Sequence, residues 1–284
     1  MNAQDISVHV NDNVARALAE DIGSGDLTAS LIDPARQATA TIVCRDDAVI
    51  CGQPWVMEVL RRVAPTAQAL WLVADGQRCE PNQPVVRISG AARELLSAER
   101  TCLNFLQTLS AVATQTARYV AAVQGTKAAI VDTRKTLPGL RVAEKYAVRC
   151  GGGANHRMGL YDAVLIKENH IAAAGGLTAA FEAARRVAAQ AAFIEVEVET
   201  LTQLEEALRA GVTMILLDNM PLDMLHQAVT LTQGRAVLEI SGGVNLESVR
   251  ALAETGVDRI SIGALTKDIK AVDFSMRFQD RPVE

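Results

Sequence analysis

The chain has 284 residues, 49% of them hydrophobic, 4% aromatic and 21% charged, with a formal net charge of −5. This is enough for one large or two smaller domains with a buried core, and it is too apolar for a disordered chain. The mild acidity and the lack of a basic stripe interleaved with aromatics give no reason to expect a nucleic-acid partner.

No apolar run reaches the roughly 18–20 residues that span a bilayer, so no membrane association is expected. The polar start, MNAQDISVHVND, has no basic region followed by an apolar core, and a cytoplasmic location is the expectation. Cys44, Cys51, Cys79, Cys102 and Cys150 are odd in number and contain no C-x-x-C pair. They read as reduced, packed thiols, neither a disulfide framework nor a thiolate zinc site.

In chain order, DNVARALAEDIG (12–23) predicts an amphipathic helix capped by Asn11 or Asp12 and stopped by Gly23. ATATIVCRDDAVICG (38–52) and AQALWLVADG (67–76) predict strands, and QPWVMEVLRRVAP a helix opened by Pro54. A long helical stretch from Ala92 to Gly125 leads away from this unit. The domain boundary is placed inside it, giving an N-terminal α/β domain over 1–112 and a second domain over 113–270, with segment 271–284 rejoining the first.

From Ala128 onward strands and helices alternate. AAIVDT, DAVLIK, FIEVEVE, MILLD, AVLEI and RISIG are β-rich apolar runs separated by helical segments such as LTQLEEALRAG. Continuous apolar strands alternating with helices imply a parallel sheet covered on both faces. The spacing of the later units suits an incomplete β/α barrel, with six strands legible. Each strand ends on a polar or glycine signal: Asp132–Lys135, Lys167–Asn169, Glu197 and Glu199, Asp218 and Asn219, Ser241–Gly243, and Gly263. The carboxyl ends of barrel strands converge on one mouth, so these clusters define a candidate site.

Between Asp132 and Lys167 the chain carries seven Lys/Arg (Arg134, Lys135, Arg141, Lys145, Arg149, Arg157, Lys167) against three acids. A cationic segment in an acidic chain is either a solvated face or a site for a small anion. Planar arginines with paired donors favour a carboxylate. SGGVNLESVR follows a strand and precedes a helix, so Ser241, Gly242 and Gly243 are either a tight turn or a phosphate cradle backed by that helix, and SIGALTK repeats the pattern. The run GGGANHRMG follows a helix, which excludes a dinucleotide fingerprint, and it lacks the Walker A lysine. Its glycines read as a flexible turn presenting His156 and Arg157. Alternation along IEVEVE puts Glu195, Glu197 and Glu199 on one face, so at least one points into the barrel. Cys150 reads as packing, and Arg100 as a residue that pairs along its own helix.

The string DTRKTLPGLRVAEKYAVRCGGGANHRMGLYDAVLIKENHI, followed in order by EVEVE, LLDNM, ISGGV and SIGALTK, closely resembles the quinolinate phosphoribosyltransferase family, decarboxylating nicotinate-nucleotide pyrophosphorylases of the type II phosphoribosyltransferases. EDIGSGDLT and AERTCLNFLQTLSAVAT extend the likeness over nearly the whole chain. The resemblance implies an N-terminal open α/β sandwich, an incomplete barrel of about seven strands, and a homodimer. It implies phosphoribosyl transfer from 5-phosphoribosyl 1-pyrophosphate to quinolinate with decarboxylation, supported by Mg²⁺. By the same resemblance Arg134, His156, Arg157 and Lys167 surround quinolinate, and Arg100 reaches in from the partner subunit. Catalytic Lys135 stands between the two substrates. Glu197 and Asp218 hold ribose hydroxyls and Mg²⁺, and the phosphoribosyl donor is received by Thr133, Ser241, Gly242, Gly243, Ile262, Gly263 and Ala264.

Overall fold

The computed structural model describes residues 3–188 and 190–278. It is an α/β chain that divides into two compact units. In chain order the elements are α1 (Ala3–Asp21), β1 (Gln37–Cys44), β2 (Ala48–Val49), α2 (Gln53–Val63), β3 (Gln68–Trp71), β4 (Arg78–Cys79), β5 (Gln83–Ala91), α3 (Ala92–Ala122), β6 (Ala129–Val131) and α4 (Arg141–Cys150). There follow β7 (Val164–Ile166), α5 (Glu168–Ala174), α6 (Leu177–Val187), β8 (Ile194–Val198), α7 (Leu201–Arg209), β9 (Met214–Asp218), α8 (Leu222–Thr232), β10 (Val237–Ser241), α9 (Val249–Glu254), β11 (Arg259–Ser261), α10 (Ala264–Lys267) and β12 (Phe274–Phe278).

The first unit holds the residues up to Ala117, Thr136–Gly152 and the chain from Thr266 onward. Its antiparallel sheet runs β12-β1-β5-β3, with β12 paired to β1; residues 279–284 of the segment expected to rejoin this unit lie outside the described residues. The α2 helix opens at Gly52 with Pro54 in its first turn, where a missing N–H costs no hydrogen bond. Its buried face, Trp55, Val56, Val59 and Leu60, supplies core, and the Trp55 indole donates to Asn13 of α1.

Two boundaries differ from the sequence expectation. The first helix starts at Ala3, upstream of Asn11 and Asp12. Asn11 is thus an internal helix residue, and its amide donates to the Ser7 carbonyl one turn back instead of capping. Gly23, at φ +52°, does follow the helix end as expected. Second, Thr136–Gly152, assigned by sequence to the barrel, packs with the first unit. Tyr146 of α4 lies 5.5 Å from the Trp55 ring, and the Gly139 carbonyl accepts from Asn13. Gly151 allows this packing, because a Cβ there would overlap the Ala113 carbonyl and the Thr116 side chain of α3.

The second unit, Arg118–Lys135 with Gly153–Leu265, carries a parallel sheet in the order β6-β11-β10-β9-β8-β7. The six legible runs are these six strands. Ala154 adds a single parallel bridge to Val131, so the sheet is extended by one residue at its β6 edge and the barrel stays open. That bridge is the only trace of a seventh strand among the described residues, which is why the count from sequence stopped at six.

Candidate active site

A parallel sheet buried on both faces is ordinarily apolar throughout. Here one face of the second unit is polar, and it is arranged in two layers. Register pairs Glu239 with Arg259 and with Leu216, and Ser241 with Asp218. Residues two apart share a face. Burial divides this face: Glu195 and Glu239 are fully buried, with Arg259 against Glu239, and form the deeper layer, while Glu197, Asp218 and Ser241 are half-buried and open outward.

Above the deeper layer lies a cavity of about 560 Å³. Its lining includes Thr133, Arg134, Lys135, His156, Arg157 and Lys167 from the cationic segment, and Glu197, Asp218, Ser241, Gly242 and Gly243 from the later strand ends. Eleven of the residues expected at the site thus meet in one cavity within one unit. Arg100 lies on α3 in the first unit, and Ile262, Gly263 and Ala264 are not wall residues. Gly263 nevertheless shapes the wall, since the Lys135 stem lies within 2.9 Å of where a Cβ would stand.

The cationic side is fixed, not flexible as the three glycines suggested. Buried Asp132, the residue after β6, accepts from the His156 backbone N–H at 2.9 Å and from the Asn155 amide at 2.5 Å. The His156 ring is nearly buried, edge-on to Phe193 at 5.3 Å. Its Nε2 lies 2.8 Å from Glu195 and 3.6 Å from Glu239, while its Nδ1 accepts the Arg157 backbone N–H at 2.7 Å. Both ring nitrogens are therefore engaged inside the protein. Arg157 in turn donates from Nη1 to the Ala163 carbonyl. Burial, and the neighbouring positive charge of Arg134, pull the Arg157 guanidinium below its ordinary value.

Beneath them, burial pushes Glu195 and Glu239 up to about 7 each, Glu239 also feeling the charge of Glu195. The Arg259 guanidinium forms an ion pair with Glu239 at 2.7 Å, and its charge partly offsets this. Of the IEVEVE acids, Glu195 is buried, Glu197 reaches the cavity and pairs with Lys167, and Glu199 is exposed.

At the ends of β9 and β10 the chain turns sharply. Asn219 (φ +52°) follows β9, its amide donating to Asp218 at 2.7 Å. Gly242 (φ +102°) packs so tightly on that amide that a Cβ would overlap it, and Gly243 sits at φ +59°. The expected helix does not begin at this turn. Asn245 caps a bend through the Glu247 and Ser248 N–H groups, and α9 starts only at Val249. Any anion here is met by glycine backbone N–H groups and not by a helix end.

Sequence reasoning passed over Glu239, Asp132 and Asn155 as partners, and Arg259. A charged residue in an otherwise apolar run, as in AVLEI, was the signal available.

Residues 112–277 match the family description "Quinolinate phosphoribosyl transferase, C-terminal domain", and residues 26–110 match its N-terminal domain. The chain is 43% identical to a probable nicotinate-nucleotide pyrophosphorylase [carboxylating] of Bacillus subtilis, over 90% of this chain and 89% of that one. It is 44% identical to the nicotinate-nucleotide pyrophosphorylase [carboxylating] of Mycobacterium leprae, over 93% and 95%. Among solved structures, that of the nicotinate-nucleotide pyrophosphorylase from Francisella tularensis superposes with a TM-score of 0.94 at 43% identity, covering 96% of this chain and 97% of that one. Both halves of the chain and the overall fold agree, and the chain belongs to the quinolinate phosphoribosyltransferase family, pentosyltransferases that convert quinolinate and 5-phosphoribosyl 1-pyrophosphate to nicotinate mononucleotide, pyrophosphate and CO₂ in NAD synthesis.

Proposed function

We propose that the cavity binds the two substrates on opposite walls and that its own residues carry the reaction. The observation that supports this most directly is that Arg134, Arg157 and Lys167 line one cavity together with Glu197, Asp218 and a glycine turn. Planar arginines gathered on a cationic wall suit the paired oxygens of a dicarboxylate. Quinolinate, with adjacent carboxylates, fits that wall, held by Arg134, Arg157 and Lys167, with Arg100 of a second subunit completing the pocket in a homodimer. His156 contributes by holding Arg157.

The other wall takes the phosphoribosyl donor. Glu197 and Asp218 accept its ribose hydroxyls. Thr133 and the backbone of Ser241–Gly243 and Ile262–Ala264 receive the 5′-phosphate. Two strand-end carboxylates on one cavity wall are hard oxygen donors of the type Mg²⁺ uses together with substrate phosphates. They would hold the ion, which when bound neutralises charge on the departing pyrophosphate.

Lys135, whose stem is laid over Gly263, stands between the walls and stabilises the same departing charge. The cationic wall aims the pyridine nitrogen at the ribose anomeric carbon, and Glu197 and Asp218 stabilise positive charge as it develops there. Once that nitrogen is quaternary, the ring cation stabilises the carbanion left when the 2-carboxylate departs as CO₂. Holding two reactants in line supplies much of the rate. The five free cysteines fit a reducing compartment, and the proposed place of work is the cytoplasm.

The test is an assay of purified protein with Mg²⁺, 5-phosphoribosyl 1-pyrophosphate and ring-labelled quinolinate, with nicotinate in parallel. Nucleotide and CO₂ in equal amounts from quinolinate alone are expected; turnover of nicotinate in its place would refute the dicarboxylate wall.

Gly242→Ala separates the walls. The new methyl meets the Asn219 amide and demands a left-handed backbone, at a cost of about 1–3 kcal/mol for the overlap. The turn must move, so the KM for the phosphoribosyl donor should rise about tenfold or more. Quinolinate affinity, measured by calorimetry without the donor, should stay within about twofold.

A further inference from the structure

The first unit contains a cluster that the reaction does not use. Of the five free cysteines, Cys102 is buried alone on α3, and the Cys44 thiol faces Cys79 with both fully buried. The remaining two are different. Cys51 and Cys150 stand 99 positions apart in sequence, yet their sulfur atoms and an oxygen of Asp75 all lie within 4.8 Å of one another. Cys51 is buried, and Cys150 is partly exposed.

This proximity is built. The Asp75 carboxylate accepts the N–H groups of Gly52 and Gln53, at 3.1 Å each, and so fixes the turn that carries Cys51. Its other oxygen accepts the Tyr146 hydroxyl at 2.9 Å. Tyr146 sits one turn before Cys150 on the same face of α4, so one carboxylate sets both thiol-bearing segments. Ser110 grips the Cys51 backbone at both its N–H and its carbonyl. Gly76 packs against the Cys150 carbonyl, with a Cβ position 3.3 Å away.

We infer that Cys51 and Cys150 are an oxidisable dithiol, a modification site that a peroxide closes to a disulfide. Sulfurs within 4.8 Å of one another have only a short distance to close to the bond length of about 2.05 Å. Cys150 is the attacking thiol. It is the exposed one, and its hydrogen bond with Cys51 lowers it below its ordinary value, whereas burial raises Cys51. The Cys150 thiolate attacks one peroxide oxygen, the O–O bond breaks, and the departing hydroxide takes a proton to leave as water, with Cys150 now a sulfenic acid. The Cys51 sulfur then attacks the Cys150 sulfur. The hydroxyl leaves with the Cys51 proton as a second water, and two thiols and one peroxide become one disulfide and two waters.

A thiophilic metal is the other occupant such a cluster suggests. The Asp75 carboxylate argues against it, because Gly52, Gln53 and Tyr146 already donate to both of its oxygens.

The test treats the full chain with hydrogen peroxide, alkylates the remaining thiols, and maps peptides without reduction. A Cys51–Cys150 cross-linked peptide is expected, with Cys44, Cys79 and Cys102 alkylated. In Cys51→Ser, Cys150 should stop at a sulfenic acid that dimedone traps; in Cys150→Ser, Cys51 should stay alkylatable. A Cys44–Cys79 cross-link alone, or five alkylated thiols after peroxide, would overturn the inference. So would stoichiometric Zn²⁺ protection of both thiols with no cross-link under peroxide.

Discussion

Arg157→Ala is expected to weaken quinolinate binding about 10- to 150-fold and to leave the affinity for 5-phosphoribosyl 1-pyrophosphate within about twofold. The figure follows from losing one charge-assisted contact to a carboxylate, worth about 1.5–3 kcal/mol. The asymmetry follows from the proposed division of the cavity, with Arg157 beside Arg134 on quinolinate and the glycine turn on the donor phosphate. Arg157 also donates to the Ala163 carbonyl, so the alanine variant carries a local structural loss. Arg157→Lys keeps the charge but not the planar fork. It should recover only part of the affinity, because a point charge cannot hold two carboxylate oxygens and a carbonyl together. Titration calorimetry with each substrate separately measures both numbers. Equal losses for the two substrates would move Arg157 out of the dicarboxylate wall.

Much of this arrangement was legible in the sequence because its signals are local. Each strand of the parallel sheet is a short apolar run with a polar end, and that end is where the cavity forms. The cationic segment from Arg134 to Lys167 needs only counting. Tertiary facts were not legible. GGGANHRMG reads as a flexible turn because nothing within it discloses that Asp132, more than twenty residues earlier, pins its backbone. The α4 segment reads as part of the barrel because it lies between two barrel strands, although Tyr146, Ala143 and Ala147 bury it in the first unit. A helix directly after Ser241–Gly243 was expected from NLESVRALAE, which has good helix formers, but Asn245 ties the first of them into a bend. Glu239 was hidden by its neighbours. An acid inside AVLEI is a breach of the apolar pattern, and such breaches concentrate at functional sites.

His156 tests that last point. The family resemblance places it on quinolinate, whereas the structure engages both of its nitrogens, Nε2 with Glu195 and Nδ1 with the Arg157 N–H. These two roles predict different losses. A residue that only touches substrate changes KM and leaves stability alone. A residue that donates to a buried acid cannot be removed so cheaply, because a hydrogen bond to a charged group is worth about 1.5–3 kcal/mol and its loss leaves the acceptor unpaired. His156→Ala should therefore lower the unfolding free energy by about that much at pH 8, read from urea titration. The pH dependence gives a second check. Glu195 and Glu239 are held up to about 7, above their unfolded values, so the folded state keeps protons that the unfolded state has released. Each acid therefore lowers stability as pH rises from its unfolded value through about 7, and has no further effect beyond that. Without the imidazole donor the Glu195 carboxylate is harder to keep ionised, so the deficit of His156→Ala should shrink as pH falls from 8 towards 5, where a protonated carboxyl needs no donor. A deficit independent of pH would mean that the variant has lost packing against Phe193 and not a hydrogen-bond donor. An unchanged urea midpoint at pH 8 would return His156 to the substrate.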